Sequence, residues 1–138
     1  MREIEIKGLC ASRGLACGEI VEIAAQRLCR QAHGTPDEEA DLLRAAMAQA
    51  GAQLEELMAQ SDATSAEIIE FQLAFVMDDE LTATAFEAIA TGTAADDAWN
   101  TALTDESAGY RDADDAYFRA RVSDLEDLRQ RVLACMTG

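Results

Sequence analysis

The chain has 138 residues, 49% of them hydrophobic, a single proline and a formal net charge of −16. That length fits one domain able to bury about two thirds of the surface its unfolded chain exposes, and the composition favours packed helices over disorder. The charge repels phosphate backbones and anionic bilayers, which excludes nucleic-acid and membrane partners and leaves a solvated acidic surface or a basic protein partner.

Cys10, Cys17, Cys29 and Cys135 form no CxxC pair and have no histidine at zinc spacing, so they read as reduced thiols. A secretory h-region and an apolar run of about 18 residues are both missing, and the expected location is the cytoplasm.

In chain order, Ile4 and Ile6 alternate with Glu3, Glu5 and Lys7 as a half-buried strand does, and a second extended run follows at 19–23. Between them GLCASRGLACG calls for tight turns. It lacks the Lys-Ser/Thr of a nucleotide P-loop and the spacing of a dinucleotide turn, so its reading is structural. Two strands alone are marginal in water, and such a segment should pack on helices or belong to a larger sheet. Residues 1–25 are therefore expected as an extended β segment, 26–34 as a polar linker and 35–138 as a helical domain.

The first helix has the clearest start. Thr35 and Glu38 make a capping box around Pro36, and Leu43, Met47, Ala50, Leu54 and Leu57 trace the narrow seam of a bundle helix up to about residue 60. Thr64 and Glu67 predict a second capping box, opening a helix over 65–81 that carries two stripes. Ile69, Leu73 and Val76 lie on one face; Ile68, Gln72, Phe75 and Asp79 lie on its neighbour. One stripe suffices for a bundle, and the second, interrupted by a glutamine and ending in acids, is either deeper core, with Ile68 and Phe75 covered by the last helix or the extended segment, or a docking face; docking is the preferred reading. Asp78, Asp79 and Glu80 either cap a new helix or bend the old one, with Leu81, Ala85 and Ile89 carrying the stripe onward. Gly92 ends that helix, Thr93 with Asp96 opens the next around Ala95, Trp99 and Leu103, and Gly109 interrupts it. The last helix starts among Asp112, Asp114 and Asp115, with Phe118, Val122, Leu125, Val132 and Met136 on one face and Arg129 and Arg131 toward its negative end. The result is a mainly α fold: a bundle of four main helices in two hairpins, preceded by a short β segment.

Catalytic chemistry finds little purchase. His33 is the only histidine and sits in the polar linker, one histidine cannot furnish a di-iron bundle, and the acid pairs fall where helices begin and serve as caps. No catalytic and no metal-binding residue is assigned.

The ordered run GLCASRGLACG, EIIEFQLAFVMDDEL, GTAADDAW and DDAYFRARVSDLEDLRQRVL resembles the N-terminal part of enzyme I of the bacterial phosphotransferase system. It is equally similar to the corresponding domain of other phosphoenolpyruvate-utilising phosphotransferases, including multidomain dihydroxyacetone kinase phosphotransfer subunits. The resemblance implies a helical subdomain that docks the phosphocarrier HPr and is inserted into an α/β domain bearing the phosphorylated histidine. It implies further that this chain holds the docking bundle and two strands, without the active histidine, the phosphoenolpyruvate barrel or the parent's magnesium site, so that the chain alone is not catalytic and carries no cofactor. Carried over by position, the HPr-contacting residues are Ile68, Gln72, Phe75, Asp79 and Glu80, with Arg121 nearby. Arg13 stands where the family often has proline, and Gln72 where enzyme I has histidine, the latter pointing to a specialised partner. On this reading Phe75→Asp removes carrier binding and leaves the bundle folded. The rival reading is a structural module that self-associates through unpaired strands or the spare stripe.

Overall fold

The computed structural model describes residues 33–137, so the expected β segment and nearly all of the linker lie outside the described residues. Five helices follow one another: α1 (Pro36–Ala59), α2 (Ala63–Val76), α3 (Asp79–Ala90), α4 (Ala95–Arg111) and α5 (Ala116–Thr137). The Thr35 hydroxyl accepts the Glu38 N–H at 3.3 Å and the Glu38 carboxylate accepts the Thr35 N–H at 2.8 Å. The expected capping box is therefore complete, with Pro36 in the first helical turn.

α2 is capped two residues earlier than expected. Asp62 Oδ1 accepts the Ser65 N–H at 2.8 Å, which leaves Thr64 and Glu67 inside the helix. An aspartate is the stronger cap here because its charge faces the positive end of the helix dipole, and the Ser65 hydrogen bond holds its carboxyl below the usual range. After Met77 the chain restarts instead of bending: Asp78 Oδ1 accepts the N–H groups of Glu80 and Leu81 at 2.9 and 3.2 Å. That restart makes five helices where four main ones were expected.

α3 ends as the glycine predicts. The Thr93 N–H reaches the Ala88 carbonyl and the Gly92 N–H the Ile89 carbonyl, with Gly92 at φ +104°, a left-handed position that glycine adopts without strain. Thr93 does not cap α4. The helix begins behind Ala94, which has no capping side chain, and the cap comes from α1: the Glu39 carboxylate accepts the Ala95 N–H at 2.7 Å and, with its other oxygen, the Gly34 N–H at 2.8 Å. Nor does Gly109 interrupt α4, which runs on to Arg111. A glycine in a helix interior costs about 1 kcal/mol relative to alanine, less than the packing that Trp99, Leu103 and Tyr110 give to the same helix.

The core is one continuous cluster. Trp99, Leu43, Leu54, Ile89, Leu103, Leu125, Leu128 and Val132 are its largest fully buried members, each apolar side chain contributing about 1.5–3 kcal/mol by leaving water. α4 and α5 pack against each other most extensively, and α1 lies on α5 and α2. Ala46, Ala50, Ala85, Ala95 and Ala98 are buried and allow the close approach. Trp99 satisfies its indole by donating to the Arg129 carbonyl at 3.3 Å. Arg129 pairs with Glu126 and Asn100, and Arg131 with Gln53, so specific partners on other side chains hold both. Leu57 on α1, Leu81 on α3 and Phe118 on α5, all expected on apolar seams, end up facing water.

Candidate surface for partner docking

α2 supplies the bundle stripe as expected, with Ile69 and Val76 buried and Leu73 half-buried. The neighbouring stripe divides. Ile68 is exposed, whereas Gln72 and Phe75 are only 5% and 3% exposed and cannot face a partner in this structure. Both had been expected on the docking face. The reason lies in the tertiary packing: α5 closes on α2, Phe75 joins the core, and Gln72 Nε2 donates to the Asp124 carbonyl at 2.8 Å. A buried amide with a satisfied donor is compatible with a core, so the glutamine did not mark a wet interface.

Asp124 joins Gln72 to Arg121. While its carbonyl takes the glutamine, its carboxylate pairs with Arg121 at 2.8 Å, both side chains being 12% exposed. Burial pushes the Asp124 carboxyl up and the adjacent guanidinium opposes that shift. The Arg121 guanidinium lies over the Tyr117 ring at 4.5 Å and the Phe71 ring at 5.5 Å, within reach of the ring quadrupoles. Its Nε is buried without a hydrogen-bond partner.

Around this arginine the aromatic side chains form a chain of contacts. Phe71 meets Tyr110 edge-on with centroids 6.2 Å apart, Tyr110 meets Phe118 at 6.2 Å, and Phe118 meets Tyr117 at 5.6 Å. Tyr117 and Phe118 are 60% and 46% exposed. Such a concentration of wet aromatic surface around one arginine has the composition of an interface centre. Ile68 lies one turn before Phe71 and Gln72 on α2, and the exposed Met77 and Leu81 follow at the α2–α3 corner. Asp79 and Glu80 are exposed in the first turn of α3 and form no ion pair with Arg121, whose partner is Asp124. Of the six expected residues, then, Gln72 and Arg121 meet through Asp124, Ile68, Asp79 and Glu80 stand exposed, and Phe75 is core. Stripe counting on α2 missed Phe71, Tyr110, Tyr117, Phe118 and Asp124. The spacing Tyr117, Arg121, Asp124 (i, i+4, i+7) was the available signal, since it puts all three on one face of α5.

Two other places gather polar side chains. A groove of about 570 Å³ between α1, α2 and α5 is lined by Gln49, Gln53, Gln72 and Gln130 together with apolar side chains such as Leu54 and Ile69. Its lining includes a single carboxylate, Asp127, and no histidine. Cys135 on its edge has its thiol pushed up chiefly by burial, which makes it a poor nucleophile. Among the described residues, His33, Glu39 and Asp96 have donor atoms within 4.8 Å of one another. Both Glu39 oxygens already accept backbone N–H groups at the starts of α1 and α4, where helix dipoles disfavour a cation. Magnesium prefers an octahedral shell of oxygens, and this group does not suit it.

The five helices and the exposed aromatic–arginine face make this a helical-bundle domain. Residues 7–121 match the family described as "PEP-utilising enzyme, N-terminal", and the chain belongs to that family. Its fold is similar to the solved structure titled "N-terminal domain of Enzyme 1 - Nitrogen", with a TM-score of 0.72 and 23% identity, covering 82% of this chain and 51% of that one. The chain thus spans about half the length of that structure. A comparison with curated proteins gives no match.

Proposed function

We propose that this bundle docks a small HPr-like phosphocarrier and positions it for phosphoryl exchange with a histidine other than His33, carried on a separate domain. The observation that supports the reading most is the exposed aromatic face built around Arg121, Tyr117 and Phe118 at the start of α5. Its work is positioning: holding donor and acceptor groups together replaces an encounter in solution with a prepared geometry. The net charge of −16 and the exposed Asp79 and Glu80 favour a carrier with basic residues around an apolar patch. Ile68, Asp79, Glu80 and Arg121 belong to this face; Gln72 acts from beneath it, by anchoring the α5 turn that carries Asp124 and Arg121. No described helix is long and apolar enough to cross a membrane, and the reading assigns the protein to the cytoplasm, where such carriers work.

The test is calorimetric titration with the HPr-type carriers of the source organism. Tyr117→Ala with Phe118→Ala should weaken binding at least tenfold, as loss of aromatic anchors does, with the circular-dichroism spectrum unchanged. Unchanged affinity in that variant would remove this face from the docking site. The same exposed rings could pair two copies of the chain, and light scattering on the wild type and the double variant separates that outcome.

A further inference from the structure

The corner between α4 and α5 carries an open pocket of about 290 Å³, lined by Asp105, Glu106, Gly109, Tyr110, Ala113 and Phe118. Gly109 keeps one wall bare, since nothing lies within 4 Å of the position a Cβ would take there. Two rings in contact with each other, a half-buried Tyr110 and an exposed Phe118, also line the pocket. The two carboxylates add negative charge: among the described residues neither Asp105 nor Glu106 forms an ion pair, while Arg121 is held by Asp124 and Arg129 by Glu126. Burial and the charge of Glu106 both hold the Tyr110 phenol above its usual value, as expected of a negative field at the ring. Ring faces and carboxylates attract the same kind of guest.

We propose that this pocket receives a lysine or arginine side chain of the docked carrier. Arginine is the better match, because its planar guanidinium can stack on a ring while its N–H groups reach a carboxylate, and its aliphatic stem can lie on Phe118 and Ala113. The proposal rests on the docking reading above and extends that face across Phe118 onto α4.

The deciding experiment is a double-mutant cycle. Asp105→Asn with Glu106→Gln removes both charges without changing shape, and helical content by circular dichroism checks that α4 persists. Titrated with the HPr-type carrier at low salt, this variant should bind about three- to tenfold more weakly than the wild type. One lysine or arginine of the carrier, changed to glutamine, should lose its own effect in that background, whereas the carrier's other cations keep theirs. If the variant binds like the wild type while Phe118→Ala still weakens binding, or if no carrier cation couples to the pocket, the pocket assignment is overturned and the docking face stands. If the wild type binds no carrier, the docking reading fails and this proposal with it.

Discussion

Glu39 and Gln72 are both buried polar side chains that cross the bundle to the backbone of a distant helix, yet what surrounds them differs. Glu39 spans from α1 to the Ala95 N–H, 56 residues on, in a setting of Pro36, Ile89, Gly92 and Ala94 with no large exposed apolar side chain. Gln72 spans from α2 to the Asp124 carbonyl, 52 residues on, and the carboxylate of that same aspartate holds Arg121, which lies over Phe71 and Tyr117. The first supplies an N-cap that α4 lacks and so closes the fold. The second leaves the core almost as an apolar residue would, but it fixes the turn of α5 from which a surface cluster is presented. Buried polarity therefore serves architecture at one end of the bundle and the presentation of a face at the other.

That contrast can be broken by substitution. The largest effect belongs to neither polar residue: Phe75→Asp buries an unpaired charge where a core ring was, and chemical denaturation should show a loss of about 4 kcal/mol or more, enough to unfold a marginal domain. This reverses the expectation that the variant would lose only its partner. Glu39→Ala should follow at about 2–4 kcal/mol, since it strands the N–H groups of Ala95 and Gly34. Gln72→Leu should cost about 1 kcal/mol, because the Asp124 carbonyl lies within α5 and keeps its helical partner; its effect should show instead in carrier affinity. An equal loss for Glu39→Ala and Gln72→Leu would dissolve the distinction. Smallest of all, Tyr117→Ala should change stability by about 0.5 kcal/mol or less, its ring being mostly in water.

The carboxylates sharpen the same comparison through pH. Asp62 and Glu126 are held below their ordinary values, by the Ser65 backbone and the Arg129 side chain respectively. Their contributions are complete above the ordinary carboxylate value of about 4 and are lost as pH falls through the lower folded values. Asp124 runs the other way. Its folded value is raised, so between its ordinary and raised values the folded state binds more proton than the unfolded one, and this group adds stability as pH falls through that window. Carbon-detected NMR titration should place the Asp124 midpoint above those of Asp62 and Glu126.

What could be read beforehand was mostly local. The Thr35 box, the left-handed Gly92 and the buried Leu43, Leu54, Trp99 and Leu103 depend on neighbours within one or two turns, which spacing reveals. Asp62 was passed over because two capping candidates lie two residues apart and only the chain's entry direction chooses between them. The Glu39 cap was invisible for a different reason, joining residues 56 apart through the tertiary fold. On α2 both stripes were visible, but which one is covered depends on how the other helices cross it: α5 takes Gln72, and Phe75 joins the core cluster. The exposed rings were overlooked because Phe118 fits the period of a buried face, and a period says nothing about where the neighbouring helix ends.

Backbone NMR of the labelled protein titrated with an HPr-type carrier tests the docking reading most directly. It predicts shifts concentrated at Ile68, Phe71, Leu81, Tyr117, Phe118 and Arg121, with Gln49, Gln53 and Gln130 in the groove between α1, α2 and α5 unmoved. Shifts confined to that groove, or no shifts at saturating carrier, would contradict it.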